Sequence, residues 1–134
     1  MIKINSTYKD KTIIDEMKKF VDVEGFIQLN DFFENELNEI RDKIIKGKLQ
    51  ERYDPIKLRR KELNLKEVFD VQIIEIIEFF KGKEFVEFIE EISDIEFNIR
   101  EVKVNVYGHR DFIILNDDVK REDCLYIIFD ISDQ

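Results

Sequence analysis

The apolar residues of this chain change their period near Ile99, and that change constrains the fold more than any other feature. Before it, they recur every three or four residues. Phe33, Leu37, Ile40 and Ile44 step by four, three and four, which lines one face of a helix. Phe85, Phe88, Ile89 and Ile92 mark a second helix in the same way. After Ile99, Val102, Val104 and Val106 alternate with Lys103 and Asn105. That is the two-residue period of a half-buried strand. Helices followed by strands with short turns predict an α+β fold, with an antiparallel sheet covered by helices on one face.

The remaining elements follow from caps and breakers. Lys11 to Lys19 reads as a short helical start, and Phe20 to Leu29 as a strand or strand pair around Gly25. Asp31 and Glu34 have capping-box spacing, so a helix is expected from Asp31 to Lys46, closed by Gly47. Lys48 to Lys61 carries the only proline and reads as an irregular basic connection. Asn64 and Glu67 again have capping-box spacing, and a helix should run from there to about Phe80. Its Val68, Phe69, Ile73, Ile76, Ile77 and Phe80 cover more than one stripe, which predicts a central position. Gly82 ends it. Phe112 to Leu115 and Leu125 to Ile131 read as strands around a polar loop, Asn116 to Asp123. With no repeat or linker, residues 1–134 are expected to form a single domain.

Charge narrows the function. Twenty-two Lys and Arg against 31 Asp and Glu give a net charge of −9. A general nucleic-acid binder needs a concentrated basic face, and an anionic membrane selects for the same. Neither partner is expected. No apolar run approaches the roughly 20 residues that span a bilayer. Met1 to Asp10 lacks the apolar core of a signal peptide. One cysteine, Cys124, makes no internal disulfide, which points to the cytoplasm.

Four groups carry candidate chemistry. His109, the only histidine, stands two residues before Asp111, a spacing that can offer an imidazole and a carboxylate to a divalent metal. The same residues also suit a plain turn beside Gly108. Asn116, Asp117 and Asp118 offer clustered oxygen donors, or simply a polar turn. Lys48 to Lys61 fits an anionic substrate or an acidic protein, or else a solvated segment that offsets nearby carboxylates. Cys124 reads as a small core residue rather than a nucleophile. No Gly-rich loop is present to cradle a phosphate.

Residues 107–118, Tyr-Gly-His-Arg-Asp-Phe-Ile-Ile-Leu-Asn-Asp-Asp, resemble the iron-binding stretch of the prolyl-hydroxylase-like 2-oxoglutarate/Fe(II) dioxygenases. Leu125 to Ile131 resembles the next core strand. Phe26 to Phe33 resembles the strand that opens the fold, and residues 64–92 its supporting helices. The resemblance implies a partial double-stranded β-helix backed by N-terminal helices. It also implies Fe(II) and 2-oxoglutarate as cofactors of any hydroxylase activity. The family's metal sits on two His and one carboxylate. Aligned here, the proximal His position holds Asn116 and the carboxylate position holds Asp118, with His109 as a reserve ligand. The family's distal His and its 2-oxoglutarate-binding Arg fall beyond Gln134. The expectation is therefore a degenerate or partial domain, inactive alone. It would pair with a protein partner or a second copy through an open sheet edge. The alternatives are one half of a split dioxygenase completed by a partner chain, and an unrelated small acidic interaction module.

Overall fold

The structure is a computed structural model and describes residues 1–113 and 127–131. The class is α+β. Among the described residues there are four α-helices and an open antiparallel sheet. They fall into two compact units, one helical and one built around the sheet.

The helical unit combines residues 1–36 with residues 70–102. Its first helix, α1 (Lys11–Glu24), starts where the Asp10 carboxylate accepts from the Thr12 and Ile13 amides. It takes in Phe20–Glu24, the first half of the segment expected to be a strand or strand pair, and residues 26–29 have no regular secondary structure. The reason lies in Ile13, Met17 and Val21, spaced by four, of which Met17 is buried. Gly25 ends the helix with a left-handed φ of 75° and donates to the Val21 carbonyl, a conformation that favours glycine.

Residues 31–36 are not helical. Asp31 has φ 51°, and Phe33 pairs with Ile4 in an isolated antiparallel bridge. The Asn5 amide donates to the Phe32 carbonyl at 2.7 Å, and the Glu34 amide to Lys3 at 3.0 Å. Phe32 and Phe33 are adjacent yet both buried. Pairing with residues 3–5 spends backbone groups that a helix would bond within itself, so the segment stays extended. Both rings join a cluster with Phe79, Phe80, Phe85 and Phe88, at centroid distances of 4.9–6.2 Å. Beside it the Tyr8 hydroxyl donates to the Asn30 carbonyl. Burial, and then the Asp31 charge, push the Tyr8 phenol above its ordinary pKa.

The next helix of this unit, named α3 in chain order (Val71–Lys81), begins later than the capping box implied. Asn64 does accept from the Lys66 amide, but only around a 3₁₀ turn, Leu65–Glu67. The effective cap is Asp70, which accepts from the Gln72 and Ile73 amides. Phe69 is 84% exposed and contributes nothing to the core. Ile73, Ile76 and Ile77 form the buried stripe. Gly82 separates α3 from α4 (Lys83–Ser93) as a single residue. In α4, Phe85, Phe88, Ile89 and Ile92 are all buried, as their spacing predicts, and the helix packs on both α1 and α3. Glu75 on α3 accepts from the N-terminal ammonium at 3.0 Å and from the Ile2 amide. The hydrogen bond from the ammonium holds its carboxyl below the usual range.

The sheet unit takes in residues 37–69 and the described residues from Lys103 onward. Helix α2 (Asn38–Ile45) is half the expected length and has no side-chain cap, though Ile40 and Ile44 are buried as predicted. Gly47 follows. A Cβ there would lie 2.7 Å from Leu63 Cδ1, so any larger residue would force the buried Leu63 side chain to shift. The next strand, β1 (Leu49–Asp54), pairs antiparallel with β2 (Leu58–Leu63) in register Leu49 to Leu63. The basic segment expected to be irregular is thus a hairpin. Asp54 accepts from the Ile56 and Lys57 amides, and Pro55 holds the second turn position, where its fixed φ suits a tight turn. The other edge of β2 pairs with β3 (Asn105–Val106) and β4 (Phe112–Ile113). The Leu63 amide donates to the Val104 carbonyl at 2.9 Å, so the expected strand at Val102–Val106 survives in its last part. Residues 127–131, expected as strand, have no regular secondary structure. Residues 114–126, which hold the expected polar loop, lie outside the described residues.

Candidate functional site

The hairpin concentrates the chain's cationic character. Between Lys48 and Lys61 stand six cations, Lys48, Arg52, Lys57, Arg59, Arg60 and Lys61, against Glu51 and Asp54, a local charge of +4. Pairing sorts them onto two faces. Residues directly opposite in an antiparallel pair share a face. Arg52 opposes Arg60 and Gln50 opposes Glu62, while Asn105 opposes Glu62 from the other side. Glu51, Tyr53, Arg59 and Lys61 take the reverse face.

On the first face two guanidiniums oppose each other, an unfavourable pairing unless an anion lies between. Glu62 supplies one. Its Oε2 is 3.5 Å from Arg52 Nε and 3.9 Å from Arg60 Nη2. Arg60 Nη1 also donates to the Tyr107 hydroxyl at 3.3 Å. The Arg60 side chain is 12% exposed. Its Nε and the Asn105 Oδ1 are buried with no hydrogen-bond partner. The cations Arg52, Arg60 and Lys103 line a shallow concavity with Asp54, Glu62, Tyr53 and Leu58.

The reverse face is closed by ion pairs. Arg59 Nε lies 3.4 Å from Asp111 and 3.9 Å from Glu51. Just before β1, and outside that face, Lys48 reaches Glu67 at 3.4 Å. The basic segment therefore offsets neighbouring carboxylates at several points, which is the plainer of its two sequence readings.

His109 stands exposed in a turn. Asp111 follows that turn, and both of its carboxylate oxygens have partners. Its Oδ2 accepts from the Gly108 amide at 2.7 Å, and its Oδ1 meets Arg59. The His-x-Asp spacing thus builds a turn, with Arg110 at φ 66°. Asn116, Asp118 and Cys124 lie outside the described residues. Among the described residues no three His, Cys, Asp or Glu side chains converge as a metal site would require. The chain's donor inventory also differs from a two-His triad, because it holds one histidine in all. Phe85 and Phe88 of α4 are buried core, while Phe79 and Phe80 of α3 are half-buried and pack against Phe85.

Sequence reasoning missed the approach of Lys103 and Tyr107 to Arg60. Their separation along the chain hides it. The Asp-Pro turn signal at residues 54 and 55 marks the hairpin that creates it. No helix among the described residues is long and apolar enough to cross a membrane. Neither the known protein families nor the curated proteins compared with this chain match it.

Proposed function

We propose that the chain is a protein-binding module that adds a strand of another polypeptide to the open edge of β1 and performs no oxidative chemistry alone. The observation that carries this is the pairing of β1. Among the described residues it is bonded to β2 and to nothing on its other side. The Leu63 amide is spent on Val104, so Leu49 and Leu63 are a pair that does not exchange hydrogen bonds. Alternation then turns the Glu51 and Tyr53 amides outward. Such an edge is a template for strand addition. Tyr53 and Ile56, 62% and 77% exposed, give it apolar contact surface. The single cysteine suits a reducing compartment such as the cytoplasm.

Glu51→Pro tests this reading, because it removes an outward amide and no backbone hydrogen bond of the hairpin. It also removes the Glu51–Arg59 ion pair, so Glu51→Gln, which keeps the amide, is the control that should leave the complex intact. Tagged wild-type chain recovered from its source cells should run in a native complex above its own 16.3 kDa. The Glu51→Pro chain should run at monomer mass. Monomers in both cases overturn the edge reading. The purified chain should form no succinate from 2-oxoglutarate and Fe(II), and stoichiometric iron-dependent succinate would overturn the non-enzymatic reading.

The resemblance of residues 107–118 supports a second proposal, a partial double-stranded β-helix acting as one half of a split dioxygenase. β4 lies antiparallel in the sheet, as the apolar strand of that stretch should. In this reading Asp118, with Asn116 beside it, would face Fe(II), and a partner chain would bring the second histidine and the cation for 2-oxoglutarate.

A further inference from the structure

We propose that the concavity bounded by Arg52, Arg60 and Lys103 binds the carboxylate side chain of an acidic partner segment. The inference rests on the β1-edge reading and names the chemistry of what that edge accepts. Three observations converge. Arg52 and Arg60 oppose each other across the hairpin, and the single carboxylate between them sits at 3.5 and 3.9 Å, longer than a charge-assisted hydrogen bond. Arg60 Nε is buried without a partner, although buried donors are almost always satisfied. Lys103 brings a third cation to the rim, against Asp54 and Glu62.

The occupant follows from charge and position. Guanidinium presents a planar fork of donors that matches a carboxylate. In an added strand, side chains alternate between faces, so every second residue of a partner strand on β1 stands on the face of Arg52. A segment with acidic residues at alternate positions satisfies both demands. The reverse face lacks the opening, since Arg59 is already held by Glu51 and Asp111.

The test uses the full chain and two eight-residue peptides, one alternating glutamate with valine and one with glutamine replacing glutamate. Binding is followed by fluorescence anisotropy. The glutamate peptide should bind at least about tenfold tighter than the glutamine peptide, and more weakly as salt rises toward about 0.3 M. Arg52→Gln should weaken it by about fivefold or more. Arg60→Lys keeps the charge, loses the fork, and should weaken it similarly. Arg59→Gln, on the reverse face, should leave it within about twofold. Equal affinity of the two peptides, or equal loss in Arg59→Gln and Arg52→Gln, overturns the pocket and leaves the edge reading standing. Absence of binding by either peptide also overturns the pocket. Glutamate-selective binding that survives Glu51→Pro supports the pocket and overturns the edge.

Discussion

Asp94 closes α4 in the left-handed conformation, at φ 58°. A residue with a Cβ is strained there by roughly 1 kcal/mol. Its charge also faces the negative end of the helix dipole, unfavourable by about 0.3–1 kcal/mol. Lys18 at 3.6 Å offsets part of this, but an exposed pair contributes about 0–1 kcal/mol. Glycine relieves the strain and the charge at an unfolded-state cost of about 0.5–1 kcal/mol. Asp94→Gly should therefore stabilise the protein by roughly 0.5 kcal/mol in urea unfolding, with Asp94→Ala giving no gain. A gain equal in both variants would show that the charge, not the backbone, is responsible. Residue-level signals were legible where one residue meets its own neighbours, as with Gly47 and Gly82, but Gly25, expected within a strand pair, ends a helix. They misled where two caps competed. Asn64 and Asp70 both bond the amides that follow, and only the second precedes a run of buried isoleucines.

At the scale of elements, periodicity was a sound guide for α4 and a poor one for residues 20–37. The four apolar positions of α4 point one way because nothing but helix spacing places them there. The step from Phe33 to Leu37 copies that spacing by accident, since the ring cluster holds Phe33 in an extended segment. The hairpin escaped notice because its strands alternate charge with charge rather than apolar with polar, and its burial contrast is correspondingly weak. Of the candidate site, the basic segment was legible and its partners on β3 were not, because pairing across 45 residues leaves no local mark. The core of α4 carries the corresponding stability prediction. Phe88→Ala removes a ring that lies 5.3 Å from Phe32, and should cost about 3–5 kcal/mol. A loss below about 1 kcal/mol in urea unfolding would show that the cluster does not hold the helical unit together.

Across the whole molecule, the hairpin's +4 leaves −13 on the remaining residues. The net acidity that argues against nucleic acid and anionic membranes is thus an average over two opposite regions. The helical unit is also discontinuous in sequence, with residues 37–69 inserted between its parts. Helix α1 has 14 residues and packs on α4. A helix of that length is marginal in water by itself. A chain ended after Phe69 should therefore lose the helical circular dichroism of α1, while the full chain keeps it. Retained helicity in that fragment would show that α1 needs no partner from residues 70–102.

The same pairing distances acquire a meaning in time. A hairpin closes in roughly 1–10 microseconds, so β1 and β2 join as soon as both have emerged. The partners of β2's far edge come much later, because Lys61 waits for Val106 and Arg59 for Phe112. At about 5–20 residues per second of synthesis, parts of that edge stay bare for roughly two to eleven seconds. During translation the nascent hairpin therefore offers two pairing edges, of which β3 and β4 later cover one.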